Sequence, residues 1–493
     1  MNFYYLNLKK IRIFGLILSF IFTSYLPLKA NEVNSNINSN TENTSVCETD
    51  LKPTIDDILN KEKLKRSHWG ILVKTLDKQT PLYELNSQKY FIPASTVKLL
   101  TTAAVLIQYD SNYQIKTPVY ASGSSPNLTV LKVVGKGDPT LKSEQLETLA
   151  KQLKTQGIKR IENLIVEDNS AAMQVINSTW EWEDIQFYYA PSVNRLILNE
   201  NAVILTLNPQ KLGEKLTIQW SDSIAGQQWK VNNQTITGEE NSPYSVSINR
   251  NFEAPLLTIT GSLASNSDPD PFGMAVVNPG KYFLDSLRFY LEKEGITIIN
   301  SEVSYGDSER DNLAKIIEIK SSSLQEMITK ANQESNNLYA ESLLNLLRDD
   351  KIENSKIDNL KIILTQLGLE PNLYHLKDGS GLSRHNLVTP EALVNLLTLM
   401  IKTPDAKMYR NSLAIGGTNG TLKNRFKDTI VEGKIQAKTG TLSGSSSLSG
   451  YIEPGNYEQL AFSIMVNQSD LPPSELRTII DQIVIKLGHI KQC

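Results

Sequence analysis

Apolar residues recur at helical or strand spacing in the first folded stretch of this chain. Residues 54–65 have apolar positions at helical spacing, which predicts a helix. Two short apolar runs at 69–73 and 82–85, separated by a polar turn, are typical of neighbouring strands. A longer apolar run at 95–106 contains no glycine or proline, and it predicts a helix that is buried on most sides.

The pattern changes between residues 115 and 272. Short apolar runs alternate there with turns rich in glycine, asparagine and serine, and no period repeats along the stretch. Such alternation predicts mostly β structure. We interpret residues 111–274 as a large β-rich insertion made of two subdomains.

Helical patterns return after this stretch, followed by a strand-rich segment and a last helix. Helices are predicted at 282–294, within 324–347, and at 360–367, 390–401 and 476–487, and strands between 432 and 466. Because helices and strands occur in blocks without a steady βαβ alternation, the sequence predicts an α+β fold.

The length and composition are those of a multidomain globular protein. A chain of 493 residues is longer than one compact core usually needs, so two or three domains are expected. Hydrophobic residues make up 40% of the chain and charged residues 21%, which is ordinary for a globular protein. The formal net charge of -3 argues against a nucleic-acid-binding protein, which usually carries a basic face.

The first residues have the pattern of a targeting segment. Lys9, Lys10 and Arg12 precede an apolar run at 13–26, and Ala30 offers a small residue for cleavage. We predict a signal peptide at residues 1–30 and export to the periplasm or cell envelope. An uncleaved N-terminal anchor is the alternative, although the run is short compared with the roughly 20 apolar residues of a membrane span. The polar residues 31–50 that follow are predicted to form a disordered tether.

The chain has only two cysteines, Cys47 and Cys493. Chain ends often lie close together, and exported proteins fold in oxidising compartments. We therefore hypothesise a Cys47–Cys493 disulfide. Two unpaired thiols remain an equal alternative, because two cysteines alone do not form a diagnostic pattern.

Histidine chemistry is not indicated by this sequence. The four histidines are His68, His375, His385 and His489. No two of them have metal-ligand spacing on a helix, and none accompanies a serine in a G-x-S-x-G turn. We expect no metal and no cofactor.

Ser95 and Lys98 form the only S-x-x-K in the chain. Residues three apart lie on one face of a helix, so the hydroxyl and the amine are within reach of each other. Burial makes a lysine lose its charge more easily, and a neutral amine can accept the proton of the serine. The alternative interpretation of Ser95 is a helix N-cap.

A second candidate motif is Ser335-Asn336-Asn337. The pattern S-x-N also occurs at Ser125, Ser192 and Ser247, so it has little value alone. Ser335 is chosen because it lies between two predicted helices, where a loop can direct side chains into a cleft. A helix cap is again the alternative.

The third candidate motif is Lys438-Thr439-Gly440, followed by Thr441, on a predicted strand. A lysine and hydroxyl groups on one strand suit a substrate carboxylate. Gly440 lets the substrate backbone approach closely. The alternative is an exposed edge strand with a protective lysine.

Together and in this order, the motifs resemble the S-x-x-K, S-D-N and K-T-G set of class A β-lactamases and penicillin-binding proteins. The chain resembles in particular the low-molecular-mass class C penicillin-binding proteins, which are D-alanyl-D-alanine carboxypeptidase/endopeptidases. Within the similar segment 189–203, Asn194-Arg195 departs from the small residues that the family is expected to have at these positions. The similar segments cover nearly all of 51–487 and are 91–104 (FIPASTVKLLTTAA), 135–141 (GKGDPTL), 189–203, 332–344, 378–390 (DGSGLSRHNLVTP), 416–425 and 434–451.

The resemblance also accounts for the spacing of the motifs. Ser95 and Ser335 are 240 residues apart, and class C proteins fill this interval with an insertion of two extra domains. The resemblance therefore implies a transpeptidase-like domain that is split into residues 51–110 and 275–493 by the β-rich region 111–274.

The resemblance implies a two-step acyl transfer. Ser95 is the expected nucleophile and Lys98 its base, and the N–H groups of Ser95 and Thr441 are expected to hold the oxyanion. Ser335 is expected to relay a proton to the leaving amine, and Asn337 to orient the substrate amide and Lys98.

The same resemblance implies the substrate and inhibitor classes. Lys438, Thr439, Gly440 and Thr441 are the expected substrate-binding residues for the terminal carboxylate of peptidoglycan stem peptides. β-Lactam antibiotics are expected to acylate Ser95. A β-lactamase or esterase on the same site, or a non-catalytic peptidoglycan-binding scaffold, are the alternatives, and penicillin labelling discriminates between them.

Overall fold

The computed structural model describes residues 45–170, 176–251, 254–306, 313–348 and 355–493. The predicted signal peptide and residues 31–44 of the predicted tether lie outside these residues. The prediction of a disordered tether is wrong for its last residues, because Val46–Cys47 form a strand and Glu48–Asp50 a 3-10 turn.

The described residues form helices and strands of ordinary length. The α-helices are α1 Leu51–Leu59, α2 Val97–Gln108, α3 Ser143–Thr155, α4 Ser223–Gly226, α5 Pro279–Lys293, α6 Leu324–Gln333, α7 Asn337–Leu346, α8 Ser355–Leu367, α9 Pro390–Met400, α10 Ala406–Asn411 and α11 Pro473–Gly488. The strands are β1 Val46–Cys47, β2 His68–Thr75, β3 Pro81–Leu85, β4 Lys116–Ser124, β5 Asn127–Val134, β6 Arg160–Glu167, β7 Ala202–Asn208, β8 Thr217–Trp220, β9 Lys230–Gly238, β10 Ser247–Arg250, β11 Leu256–Ala264, β12 Asp270–Ala275, β13 Thr297–Ser304, β14 Ala314–Lys320, β15 Tyr374–His375, β16 Leu387–Val388, β17 Ala414–Ile415, β18 Ile435–Leu442, β19 Ser445–Ile452, β20 Leu460–Asn467 and β21 Ile490–Lys491. None of these helices is both long enough and apolar enough to cross a lipid bilayer.

A six-stranded antiparallel sheet in the order β17-β18-β19-β20-β2-β3 forms the centre of the main domain. Side chains alternate between its faces: Leu72 packs into a core with α2, α7 and α9, whereas Ile71 and Val73 pack into a second core with α1 and α11. Helices therefore cover both faces of this sheet, which explains why every residue of β20 is buried.

Two separate pieces of the chain build this domain. β2, β3 and α2 come before the inserted region, and α6–α11 with β17–β20 come after it. The α+β prediction is confirmed, since the elements occur in blocks and the central sheet is antiparallel.

The inserted region has its own core and three sheets of its own. A five-stranded sheet has the order β13-β6-β5-β4-β14, and two three-stranded sheets have the orders β10-β11-β9 and β12-β7-β8. The prediction of a β-rich insertion is confirmed. The region also contains a helix that the sequence did not predict, α3, which buries Leu146, Leu149 and Leu153 along one helical face.

The predicted boundary at residue 274 does not coincide with the division between the cores. α5 packs into the core of the inserted region, and β13 and β14 complete its five-stranded sheet. Residues 279–306 and 314–320 thus pack with the insertion and not with the second part of the main domain. We propose that the inserted unit extends from β4 to β14.

The hypothesis of a disulfide is confirmed: Cys47 is bonded to Cys493 with a Cα–Cα distance of 5.6 Å. The short strands β1 and β21 pair in parallel beside it, with Cys47 opposite Lys491.

Candidate active site

Ser95 lies in a single 3-10 turn, Ala94–Thr96, which leads directly into α2. The N-cap position of α2 is Thr96, so Ser95 is not the helix cap that the alternative interpretation required. Ala94 has a φ of 50°, a left-handed conformation that alanine rarely adopts. Such strained backbone is concentrated at functional sites, where the surrounding structure holds it in place.

Lys98 is fully buried and lies one turn beyond Ser95. Its Nζ is 3.0 Å from Ser95 Oγ. The same amine donates to Asn337 Oδ1 and to the backbone carbonyl of Ser380, both at 2.6 Å. The amine is therefore held against the hydroxyl by two further partners.

The charge state of Lys98 depends on its burial. Desolvation lowers the pKa of Lys98 to about 7, despite the opposing effect of the Asp378 and Glu341 carboxylates, which raise it. A neutral amine is thus accessible near neutral pH. Both carboxylates are buried. Glu341 also holds the 378–383 turn, because its Oε1 accepts from the backbone N–H groups of Gly379 and Ser380 at 2.9 and 2.8 Å.

The Ser335-Asn336-Asn337 segment connects α6 to α7. Asn336, not Ser335, caps α7, because its side chain accepts from the backbone N–H of Tyr339 at 3.1 Å. Ser335 has a φ of 59°, and its hydroxyl accepts from Lys438 Nζ at 2.8 Å. Asn337 contacts Lys98 through Oδ1, as described above.

Lys438 lies on β18 and is fully buried. β17 pairs only with Gln436 and Ala437 of β18, so Lys438 lies just beyond that pairing. Its complete burial nevertheless contradicts the alternative of an exposed protective lysine. The amine donates to Ser335 Oγ and to the carbonyl of Thr439, each at 2.8 Å. Burial, and secondarily the positive charge of Lys98, lower the pKa of Lys438 well below its ordinary value.

The rest of the K-T-G-T segment continues along β18 beside Ser95. Thr439 and Thr441 are partly exposed and alternate with the buried Lys438 and Gly440. The absence of a side chain at Gly440 lets β18 lie against the turn before Ser95, since a Cβ there would be 2.6 Å from the carbonyl oxygen of Pro93.

All eight residues predicted from the motifs lie on the three segments that meet here. Sequence reasoning missed the neighbours that hold them: the Ser380 carbonyl, the buried Glu341, and Thr421, whose hydroxyl accepts from Thr439 at 2.9 Å. Glu341 follows Asn337 by four residues, so helical spacing could have placed both on one face of α7.

Similarity to known proteins agrees with this geometry. The profile of the D-Ala-D-Ala carboxypeptidase 3 (S13) family matches residues 51–488. A D-alanyl-D-alanine carboxypeptidase from an Actinomadura species is 29% identical over 90% of this chain and 85% of its own. Penicillin-sensitive carboxypeptidase A from Dictyostelium discoideum is 28% identical over 96% of this chain and 97% of its own.

The fold of a solved relative is also similar. The crystal structure of penicillin binding protein 4 from Haemophilus influenzae superposes with a TM-score of 0.78 at 25% identity, over 88% of this chain and 98% of that chain. The resemblance drawn from the motifs is confirmed by these matches. This chain therefore belongs to the D-Ala-D-Ala carboxypeptidase 3 (S13) family.

Proposed function

We propose that this protein is a serine D-alanyl-D-alanine carboxypeptidase that acts through an acyl-enzyme on Ser95. The observation that carries the proposal is the buried amine of Lys98, 3.0 Å from Ser95 Oγ and with a pKa lowered to about 7. A general base works best when its pKa lies near the working pH. A surface lysine would be an ammonium ion there and could not take the proton.

In the first step, Ser95 Oγ attacks the carbonyl carbon of the penultimate D-Ala, and its proton passes to Lys98 Nζ. The backbone N–H groups of Ser95 and Thr441 stabilise the negative charge on the carbonyl oxygen. Each such donor is typically worth about 10²–10³ in rate. The bond to the terminal D-Ala then breaks, and its nitrogen leaves with a proton relayed through Ser335.

Lys438, Thr439 and Thr441 bind the carboxylate of the terminal D-Ala. The low pKa of Lys438 supports this role, because an arriving carboxylate favours the protonated amine and gains a charge-assisted hydrogen bond. Asn337 holds Lys98 from the other side and orients the substrate amide. Water then releases the acyl group and restores the Ser95 hydroxyl.

β-Lactams are expected to acylate the same serine. Their carboxylate and strained amide present the groups that Lys438 and Ser95 recognise in the peptide. The name of the relative from Dictyostelium, a penicillin-sensitive carboxypeptidase, supports this expectation.

We also propose that the protein is exported and acts on peptidoglycan stem peptides in the cell envelope. The charged and apolar pattern of residues 1–30 supports export. The Cys47–Cys493 disulfide is typical of proteins in oxidising compartments.

Digestion of purified muropeptides, with products analysed by mass spectrometry, tests the activity. Loss of the terminal D-Ala from pentapeptides is expected for the wild type and not for Ser95→Ala. Cutting of crosslinked dimers by the wild type alone would add an endopeptidase activity at the same site. Digestion by Ser95→Ala at the wild-type rate, or no digestion by either protein, would contradict the proposal.

A further inference from the structure

The inserted unit reaches the Ser335-Asn336-Asn337 segment at two points. Asn337 Nδ2 donates to the backbone carbonyl of Tyr189 at 2.7 Å. Asn336 Nδ2 donates to Glu200 Oε2 at 2.8 Å. Both acceptors belong to the chain between β6 and β7, so the insertion is bonded directly to the segment that contacts Lys98 and Lys438.

Asn336 has both ends of its amide engaged. Oδ1 caps α7 through the N–H of Tyr339, and Nδ2 is held by Glu200. The orientation of the amide is therefore fixed, and with it the backbone between Ser335 and Asn337. A segment that begins with a left-handed serine needs such external support, because its backbone conformation is unfavourable by itself.

Glu200 is itself held in an uncommon backbone conformation. Asn199, Glu200 and Asn201 have φ values of 49°, 61° and 50°, and glutamate is not among the residues enriched in this region. The two flanking asparagines are fixed by side-chain bonds: Asn199 Nδ2 donates to Tyr282 Oη at 2.6 Å, and Asn201 Nδ2 donates to Asn194 Oδ1 at 2.8 Å. The turn thus presents the Glu200 carboxylate from a rigid base.

The carboxylate of Glu200 is ionised and paired. Lys142 Nζ donates to its Oε1 at 2.9 Å. Burial raises the pKa of Glu200, but the charges of Lys142 and Lys330, together with the hydrogen bonds from Lys142 and Asn336, lower it below its ordinary value. An ionised acceptor makes a stronger hydrogen bond to an amide than a neutral one.

We infer that Glu200 is a positioning residue for acyl transfer: through Asn336 it holds Ser335 and Asn337 against the two buried lysines. The inference rests on the proposed function of those residues, and it gives the inserted unit a direct part in the reaction. Glu200 does not touch the reacting atoms, so its loss should lower the acylation rate constant and leave the initial binding of a β-lactam unchanged.

The test exchanges donor and acceptor between the two side chains. Glu200→Ala removes the acceptor. Asn336→Asp keeps a good helix cap. It removes the amide donor, however, and places its own carboxylate against that of Glu200. Each single variant should lower the rate constant for acylation by a fluorescent penicillin by about 10-fold or more, since small misplacements of reacting groups are costly. The double variant Glu200→Gln/Asn336→Asp places an amide opposite a carboxylate again, and it should recover most of the rate.

Glu318→Gln is the matched control, because it removes a carboxylate that is paired with Lys315 on β14 of the same unit. It should leave acylation unchanged. Wild-type rates in Glu200→Ala, or a double variant no faster than the single variants, would overturn the positioning role. A wild type that is not acylated at all would instead overturn the proposed function, and the inference with it.

Discussion

Lys98 and Lys438 are both fully buried, and each holds a serine hydroxyl: Ser95 in one case and Ser335 in the other. They reach the site from different elements, α2 and β18. Burial lowers the pKa of Lys438, and the positive charge of Lys98 lowers it further, because like charges in a desolvated site disfavour each other. This pair favours a substrate that brings a negative charge to Lys438 and leaves Lys98 neutral.

The pH dependence of acylation should report the titration of Lys98. Because the pKa of Lys98 is lowered to about 7, the amine is protonated below that pH and cannot accept the Ser95 proton. The acylation rate constant should therefore fall as the pH drops below about 7 and approach a plateau above it. Stopped-flow measurements with a chromogenic β-lactam give the profile. A rate that is constant across this range would contradict the role of Lys98 as base.

Lys438→Ala should weaken mainly the recognition of substrates with a free carboxylate. The variant removes the cation of the proposed carboxylate site and leaves Ser95 and Lys98 in contact. Turnover of a depsipeptide or thioester substrate with a free carboxylate should fall far more than turnover of the same compound with the carboxylate esterified. Equal losses on the two compounds would show that Lys438 acts elsewhere in the reaction.

Gly381→Ala should slow acylation by displacing the turn that carries Ser95. Gly381 has a φ of 81°, and a Cβ there would press on the carbonyl group of Ala94 and lie 3.0 Å from the backbone nitrogen of Ser95. The left-handed conformation alone costs an alanine about 1–2 kcal/mol.

Gly295→Ala is the control for that backbone cost. Gly295 has a φ of 82°, and nothing lies within 4 Å of a Cβ built on it. In both variants the unfavourable backbone conformation of the alanine should lower the free energy of unfolding by a similar amount, which chemical denaturation measures. Only Gly381→Ala should also lower the acylation rate. Equal acylation rates in the two variants would show that the contact with Ala94 has no effect on the nucleophile.

Removal of the disulfide should lower stability without changing the chemistry. The bond joins residues 446 apart in the chain, and a link across so long a loop typically contributes about 2–4 kcal/mol. The variant Cys47→Ser/Cys493→Ser should unfold at a lower denaturant concentration than the wild type, and its penicillin acylation rate should be unchanged. Alkylation of both thiols in the untreated wild type would contradict the bond itself.

The sequence predicted most of the site because the site is built from local motifs. Ser95 and Lys98 are one turn apart, so helical spacing indicated their shared face. Lys438 to Thr441 are consecutive, so one strand was enough to place them together. The α+β class followed in the same way from local periodicity. The buried Glu341 could have been found by the same helical argument.

Contacts between distant segments could not be predicted in this way. Glu200 and Asn336 are 136 residues apart, and nothing local to either residue indicates the other. α3 was missed because its apolar residues lie within a stretch dominated by strand patterns. The boundary predicted at residue 274 leaves β13 and β14 outside the insertion, because their pairing with β6 and β4 is a long-range property of the sheet.

The most direct test of the central claim is to map the covalent adduct that penicillin forms with this protein. The purified wild type is incubated with benzylpenicillin, digested, and examined by peptide mass spectrometry. The adduct should lie on the peptide that contains Ser95, be absent in Ser95→Ala, and form far more slowly in Lys98→Met. An adduct on another residue, or labelling that persists in Ser95→Ala, would contradict the assignment of Ser95 as nucleophile.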